Sequence, residues 1–251
     1  AVVAGGSSIN VLEQFELHPL FGGMGEALRF SQAPLYMIVA VCIVLAFLYF
    51  GMRPAAVVPG RFQAAAEVCY EFIRNMAVDT IGPEGASFFP FLFALFFFIL
   101  VGNYIGLLPF QYTFTSHIAV TFALALMVFV LTVVVSLKTQ GLRFFAHFMP
   151  AGASPFLAPL LVPIEILSFL SRPVSLSIRL FANMVAGHVM FDIFASFVIM
   201  LASFGVVGDV FAIGPIAINV ALMALELLVG VLQAYVFAIL TCIYLREAVA
   251  H

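Results

Sequence analysis

The run from Gly85 to Leu137 contains no Asp, Glu, Lys or Arg, and this absence restricts the fold more than any other feature of the chain. One helix needs only about 20 apolar residues to cross the hydrocarbon core of a bilayer, so the run must hold two crossings and a turn. Of all residues 65% are hydrophobic and 8% are charged, and the mean hydropathy is +1.23. Soluble domains carry roughly 25% charged residues. We therefore predict an integral membrane protein.

The composition also argues against several other classes of protein. The apolar runs are too continuous for an outer-membrane barrel, whose strands alternate. A net charge of -3 without a basic cluster does not suit nucleic-acid binding. Cys42, Cys69 and Cys242 lack metal-like spacing, so we expect buried free thiols rather than a disulfide or a metal site, and no cofactor. Ala1 to Gly6 lacks the basic residues and long apolar core of a signal peptide, and we identify none there.

The apolar pattern predicts an all-α polytopic protein that forms a single membrane domain over residues 1–251. We expect about five membrane-embedded helices and one amphipathic surface helix. The segments in order are an outer N-terminal segment over 1–34, a first span over 35–52, an amphipathic surface helix over 60–80, a helical hairpin over 87–138 and two long helices over 154–249. At about 1.5 Å per residue the last two exceed the ~30 Å hydrocarbon core, so they must tilt strongly, bend or extend past the membrane surface.

The segment from Arg61 to Asp79 has a helical period with two faces. Its polar face contains Gln63, Glu67, Glu71 and Arg74. Its apolar face contains Phe62, Ala65, Cys69, Phe72, Ile73 and Met76. The pattern is typical of a helix that lies on the membrane surface, and a partly buried helix packed on its neighbours would give the same pattern.

Basic residues predict the orientation. Lys138, Arg143 and His147 follow the third span and mark the cytoplasmic side. This assignment leaves the N-terminus outside and the C-terminal Arg246 inside.

The last hundred residues carry polar side chains on defined helix faces. With about 100° per residue, five of them lie within about 40° of Arg179, namely Glu165, Ser168, Arg172, Ser175 and Asn183. His188 and Asp192 lie on the opposite face. In the last helix a further line contains Asn219, Glu226, Gln233 and, within about 20°, Tyr244.

The charged members of these faces indicate function. A charge at mid-membrane costs about 3 kcal/mol on insertion scales, so Arg179 and Glu226 need partners or water. His188 and Glu226 are a natural pair across a helix hairpin. For Ser168 and Ser175 we favour a structural role, since polar groups often join membrane helices. Asn103 fits either a channel residue or a helix-to-helix hydrogen bond.

Two separate polar faces do not describe one continuous pore. They suit two half-pathways, one open to each side of the membrane and separated near Arg179. Arginine stays protonated at neutral pH and cannot relay protons. We therefore expect a fixed positive charge that blocks ion leakage and attracts a carboxylate, and we expect a partner to supply that carboxylate.

The segment SRPVSLSIRLFANMVAGH, from Ser171 to His188, resembles the signature of subunit a of the F-type ATP synthase. The likeness extends over nearly all of the chain, including VGNYIGLLP from Val101 to Pro109 and the final helix with Glu226 and Gln233. The whole pattern is similar to the alphaproteobacterial and mitochondrial branch. Some bacterial members carry an acid where His188 stands and a histidine where Glu226 stands, so the pair is exchanged here.

The resemblance implies a stator subunit without bond chemistry of its own, which carries protons past a rotating c-ring and so couples proton-motive force to ATP synthesis. Arg179 matches the essential arginine that faces the ring carboxylate. Positions that line the outer half-channel are matched by Asn183, His188, Glu226 and Gln233, to which we add Asn103, Asp192 and Asn219. The inner half-channel is matched by Glu165 and Ser175 with Arg172 nearby, to which we add Ser168 and, as a further candidate, Tyr244.

The implied partners are the c-ring, peripheral-stalk b-type subunits, membrane lipid and protons, with no nucleic acid and neither cofactor nor metal. The implied location is the bacterial inner membrane, with the mitochondrial inner membrane as the alternative.

Three other classes remain to be weighed. A secondary transporter would need a substrate site and inverted repeats, and we see no convincing internal repeat. An electron-transfer subunit would need facing axial ligands at mid-depth, and only His188 lies deep. An inert anchor is disfavoured by the charges of Arg179 and Glu226.

Overall fold

The structure is a computed structural model that describes residues 2–4, 7–9, 32–51, 60–107, 114–141 and 158–249. The elements in order are β1 (Val2–Ala4), β2 (Ser7–Ile9), α1 (Gln32–Gly51), α2 (Arg61–Ile81), α3 (Gly85–Gly106), a 3-10 turn (Phe114–Ser116), α4 (Ile118–Gln140), α5 (Ala158–Ala202) and α6 (Val206–Val249). Most of the predicted N-terminal segment lies outside the described residues, as do Arg143 and His147, on which the predicted orientation depends.

Within the described residues, five helices are long and apolar enough to cross a membrane. The qualifying stretches are Pro34–Gly51, Gly85–Gly106, Ile118–Gln140, Leu160–Ala202 and Val210–Val249. The prediction of an all-α polytopic membrane fold is confirmed. The structure adds one antiparallel pair, β1 with β2, that the sequence analysis did not predict because three-residue strands offer too little alternation.

The last two helices have the excess length that the sequence predicted. α5 contains 45 residues and α6 contains 44. At about 1.5 Å per residue each is about 66 Å long, roughly twice the thickness of the hydrocarbon core. Their strong tilt in the membrane stays a prediction.

The chain divides into two compact units. The first contains Ala1–Val44, Phe98–His117 and Leu180–Gln233, and the second contains Leu45–Phe97, Ile118–Arg179 and Ala234–His251. Helices α1, α3, α5 and α6 each contribute a segment to both units. This division leaves the single membrane domain a prediction.

In the second unit α2 is a packed helix with one buried face. Buried on it are Ala66, Ile73, Met76 and Ala77. Exposed on the other side are Glu67, Glu71 and Arg74, as the pattern predicted. Phe62, Ala65 and Phe72 of the predicted apolar face are exposed, although the rings of Phe62 and Phe72 contact Phe47 and Phe96. The packed-helix alternative therefore describes α2, and its place at a membrane surface stays a prediction.

Aromatic rings fill the space beside α2 in the second unit. The ring centroids of Tyr70 and Phe89 lie 4.5 Å apart, and Phe72 contacts Phe96 at 6.3 Å. Gly51 packs against Ala66, whose Cβ would lie 2.7 Å from a Cβ added at the glycine. Rings and close backbone approach thus hold α2 against α1 and α3 within this unit.

The first unit is packed around Phe114. This side chain is fully buried, and its ring lies 5.3 Å from the ring of Phe98. A Cβ at Gly102 would lie 2.4 Å from the Phe114 ring, so only glycine fits there. Gly102 therefore provides the space that the Phe114 ring occupies.

The three cysteines are free thiols. Cys242 is buried, Cys69 is half-buried and Cys42 is exposed, so the predicted burial is wrong for Cys42, which lies on an apolar outer face of α1. Burial raises the pKa of the Cys69 thiol, which keeps it neutral.

Candidate functional site

His188 and Glu226 form an acid–imidazole pair in the first unit. α5 supplies the histidine and α6 the glutamate, and His188 Nδ1 lies 3.1 Å from Glu226 Oε1. Both side chains are largely buried, with 15% and 12% of their surface exposed. The structure thus brings together the imidazole and the acid that the sequence analysis paired across the α5–α6 hairpin.

Backbone carbonyls surround the His188 ring. Nε2 lies 3.0 Å from the Gly106 carbonyl oxygen, and Nδ1 lies 3.0 Å from that of Met184. Carbonyl oxygens only accept hydrogen bonds and a neutral imidazole has one N–H, so the ring can donate to both at once only when it carries two protons. Glu226 Oε1 is buried with no hydrogen-bond partner assigned to it among the described residues, and His188 Nδ1 is 3.1 Å away. The ring therefore has one carbonyl at each nitrogen and a carboxylate beside it.

A glycine makes room for the Glu226 carboxylate. A Cβ at Gly187 would lie 2.5 Å from Glu226 Oε1 and 2.8 Å from its Cδ. Any side chain at this position would have to displace the carboxyl group. The residue before His188 thus permits the close approach of α5 and α6 in the first unit.

Asn103 joins α3 to α6 near the same pair. Its side chain is fully buried, and Nδ2 donates a hydrogen bond of 3.1 Å to the Gly230 carbonyl oxygen. Its Oδ1 is buried with no hydrogen-bond partner among the described residues. Of the two predicted roles, the contact matches the helix-to-helix hydrogen bond. We call Asn103, His188 and Glu226, with the Gly106 and Gly230 carbonyls, the acid–imidazole cluster.

Arg172 forms an ion pair in the second unit. Its guanidinium donates to the carboxylate of Glu247 in the last turn of α6. The guanidinium also lies over two aromatic rings, 5.4 Å from the centroid of Phe169 and 5.2 Å from that of Tyr244. Gln140 Nε2 donates to the Glu247 and Ala248 carbonyl oxygens at 3.3 and 3.4 Å. We call Phe169, Arg172, Tyr244 and Glu247 the arginine clamp.

Arg179 differs from Arg172 in its surroundings. It is exposed, and within the described parts of the chain it has no ion pair. Ser168 and Ser175, on the same face of α5, are exposed as well. The second unit therefore presents an open polar stripe with one unpaired positive charge.

The other predicted residues lie at intermediate depth. Half-buried are Glu165, Asn183, Asp192, Asn219 and Gln233. Asn219 Oδ1 is buried without a hydrogen-bond partner among the described residues, and the backbone carbonyl of Asp192 accepts from the Ser196 hydroxyl at 2.7 Å. No described contact joins the side chains of Glu165, Asn183, Asn219 or Gln233 to the acid–imidazole cluster.

Sequence reasoning missed the groups that hold the charged residues. Glu247 was overlooked because it follows Arg246 at the end of the charge-free run, where a carboxylate usually faces water. The carbonyls of Gly106 and Gly230 have no sequence signal except the glycines themselves. The buried hydrogen bond of 3.2 Å between the Thr121 and Ser177 hydroxyls was missed because single Ser and Thr residues are common in membrane helices.

The sequence is similar to known proteins over almost its whole length. Residues 34–246 match the family described as ATP synthase A chain. The chain is 78% identical to ATP synthase subunit a of Gluconacetobacter diazotrophicus over 249 residues, which covers 99% of this chain and all of the relative. It is 70% identical to that of Gluconobacter oxydans over the same shares, and 54% identical to that of Acidiphilium cryptum over 97% of each chain. The chain therefore belongs to the ATP synthase A chain family, the proton-translocating stator subunits of F-type ATP synthases.

Proposed function

We propose that this chain conducts protons to and from the carboxylates of a rotating c-ring through two half-channels, one open to each side of the membrane. The observation that carries the proposal is Arg179, an exposed arginine in an apolar helix with no ion pair among the described residues. An unpaired charge at membrane depth costs about 3 kcal/mol on insertion scales. A carboxylate on a partner that moves past α5 would offset this cost.

The acid–imidazole cluster is the proton relay of the outer half-channel in this account. A proton from outside reaches Glu226 or His188, whose atoms lie 3.1 Å apart, and the pair then transfers it toward the ring. The Gly106 and Met184 carbonyls support this role because they hold the imidazole by both nitrogens. Asn183, Asp192, Asn219 and Gln233 would line the path, and Asn103 would fix the separation of α3 and α6.

Arg179 separates this path from the inner one. It stays positive at neutral pH, so it attracts an ionised ring carboxylate without passing a proton. The carboxylate that leaves Arg179 takes up a proton from the outer path and then turns into lipid. After nearly a full rotation it releases the proton beside Glu165, Ser168 and Ser175, which would form the inner path with Arg172 and Tyr244 at its edge. The driving free energy is about 2.3 kcal/mol per proton for each 100 mV.

The proposed setting follows from the same assignment. The partners are the c-ring and peripheral-stalk b-type subunits, and the membrane is the bacterial inner membrane, in keeping with the alphaproteobacterial relatives. The N-terminus lies outside and the C-terminus in the cytoplasm. The exposed Lys138 in the last turn of α4 and the exposed Arg246 in the last turn of α6 support this orientation.

The experiment that tests the outer relay is passive proton conductance of the assembled membrane sector in liposomes. We expect Glu226→Gln to lower conductance by about a hundredfold, the size of a lost acid–base group, and Glu226→Asp to retain more of it. Glu67→Gln, an exposed carboxylate on α2, is the matched control and should conduct like wild type. Normal conductance in Glu226→Gln would remove the relay from the account.

A further inference from the structure

Two arginines lie seven residues apart on one face of α5, and their surroundings are opposite. Seven residues advance a helix by about 10 Å and bring the side chain back to within about 20° of the same direction. Arg179 is exposed and has no ion pair within the described ranges, whereas the side chain of Arg172 is 24% exposed and paired with Glu247. One face of the helix thus carries two cations, of which one is neutralised.

The arginine clamp holds Arg172 from several sides. The rings of Phe169 and Tyr244 lie on its guanidinium, and the Glu247 carboxylate accepts its hydrogen bond. Glu247 is itself fixed, because Gln140 of α4 donates to the last carbonyls of α6. All of these residues belong to the second unit. These hydrogen bonds from Gln140 hold the end of α6 in place, and with it the Glu247 carboxylate beside Arg172.

The polar side chains next to Arg172 on the same face of α5 are exposed. Ser168 and Ser175 lie one turn before and after it, and both are exposed. An anionic group that moves along this stripe would meet Arg179 as a free charge. If Arg172 had no counter-ion, the same group would meet a second free charge about 10 Å away, a distance over which charges in a poorly hydrated site interact appreciably.

We propose that Glu247 is a positioning residue that neutralises Arg172, so that Arg179 is the single free cation on the stripe. The proposal rests on the proposed function, since a second free cation matters only if a ring carboxylate must choose between the two. Glu247 touches neither the ring nor the moving proton in this account. It acts through Arg172.

The test uses the complete ATP synthase with its ring, reconstituted in liposomes, and measures ATP synthesis per assembled complex at low and high ionic strength. We expect Glu247→Gln to lower the rate about threefold at low salt, the size of a lost exposed ion pair, and less at high salt because the freed charge is screened. Glu247→Asp should keep most of the rate. Glu84→Gln, an exposed carboxylate in the turn before α3, is the control and should show neither effect.

The deciding variant is the double substitution Arg172→Gln with Glu247→Gln. It has lost the clamp but has no unpaired charge at position 172, so we expect it to recover at least half of the rate lost in Glu247→Gln. A double variant as slow as the single one, or a normal rate in Glu247→Gln, would show that the clamp only ties helices together. If Glu247→Gln fails to assemble, recovery of assembly and synthesis in the double variant supports the proposal, and failure of both overturns it.

Arg179→Ala in the same preparation separates this proposal from the proposed function. Preserved synthesis in Arg179→Ala would contradict the proposed function itself. Lost synthesis in Arg179→Ala together with a normal rate in Glu247→Gln would contradict only the role of Glu247.

Discussion

Gly187 lies directly beside the carboxylate of Glu226, where an added Cβ would come within 2.5 Å of Oε1. The acid–imidazole contact in the first unit therefore depends on the absence of a side chain at the residue before His188. Because Gly187 makes room for the pair, even an alanine at this position should disturb the contact between His188 and Glu226.

We expect Gly187→Ala to displace the Glu226 carboxyl group and to lower passive proton conductance about tenfold, since overpacking at a tight contact typically costs about 1 to 3 kcal/mol. Conductance of the assembled membrane sector in liposomes measures this. Gly214→Ala is the matched control, because a Cβ at Gly214 meets nothing within 4 Å and the residue lies in the same helix, α6, as Glu226. Equal conductance in the two variants would contradict the steric argument.

Asn103 has two predicted roles, a channel residue and a helix-to-helix hydrogen bond, and one substitution can distinguish them. Because its amide donates to the Gly230 carbonyl, we expect Asn103→Ala to lower the free energy of unfolding by about 1 kcal/mol and to change proton conductance less than twofold. Thermal denaturation of the detergent-solubilised complex and conductance in liposomes give the two values. A tenfold loss of conductance with unchanged stability would instead make Asn103 a path residue.

The hydrogen bond between Thr121 and Ser177 ties α4 to α5 in the second unit. Thr121 Oγ1 also donates to the Ile118 carbonyl, so the Ser177 hydroxyl is the donor between the two side chains. We expect Thr121→Val to lower the free energy of unfolding by about 1 kcal/mol, because it leaves the buried Ser177 donor unpaired.

Thr132→Val is the control for this bond, since the Thr132 hydroxyl is equally buried but donates to Val128 of its own helix. Thr132→Val should lower the free energy of unfolding by less than Thr121→Val does. In a double-mutant cycle Thr121→Val and Ser177→Ala should cost less together than the sum of the single values. Strict additivity would mean that the two hydroxyls do not interact.

His117, in the turn before α4, predicts a pH dependence of stability. Burial lowers its pKa below the ordinary value of 6.5, so the folded state binds fewer protons than the unfolded state in this range. Stability from this group is present above that ordinary value and is lost as the pH falls through it. The midpoint temperature of thermal unfolding should therefore decrease as the pH is lowered from about 8 to about 5.5. The decrease should be smaller in His117→Gln. An identical fall in both proteins would exclude His117 as the cause.

The charged centres were predictable from the sequence because apolar surroundings make them costly. Glu226 stands alone in a charge-free run, and the seven-residue spacing to Asn219 and Gln233 defines its face. His188 is the one deep histidine, which made the pair a natural prediction. A charged or titratable residue within an apolar helix can therefore be recognised from the sequence alone.

The groups that contact the charged residues were not predictable, because groups of their kind are ordinary at these positions. Backbone carbonyls such as that of Gly106 are present at every residue, and only the fold selects one of them. Glu247 resembles an ordinary solvated helix end until Arg172 is placed beside it. In α2 the period gave the direction of the buried face but not how much of each side chain is covered, so Phe62 and Phe72 are exposed although their rings contact Phe47 and Phe96.

The most direct test of the account is a paired measurement on Arg179→Ala in the reconstituted ATP synthase. Passive proton conductance and proton-driven ATP synthesis are recorded in the same liposomes. Arg74→Ala, an exposed arginine on α2, is the control. The account predicts that Arg179→Ala leaks protons and makes no ATP. Coupled synthesis at the wild-type rate without a leak would contradict it.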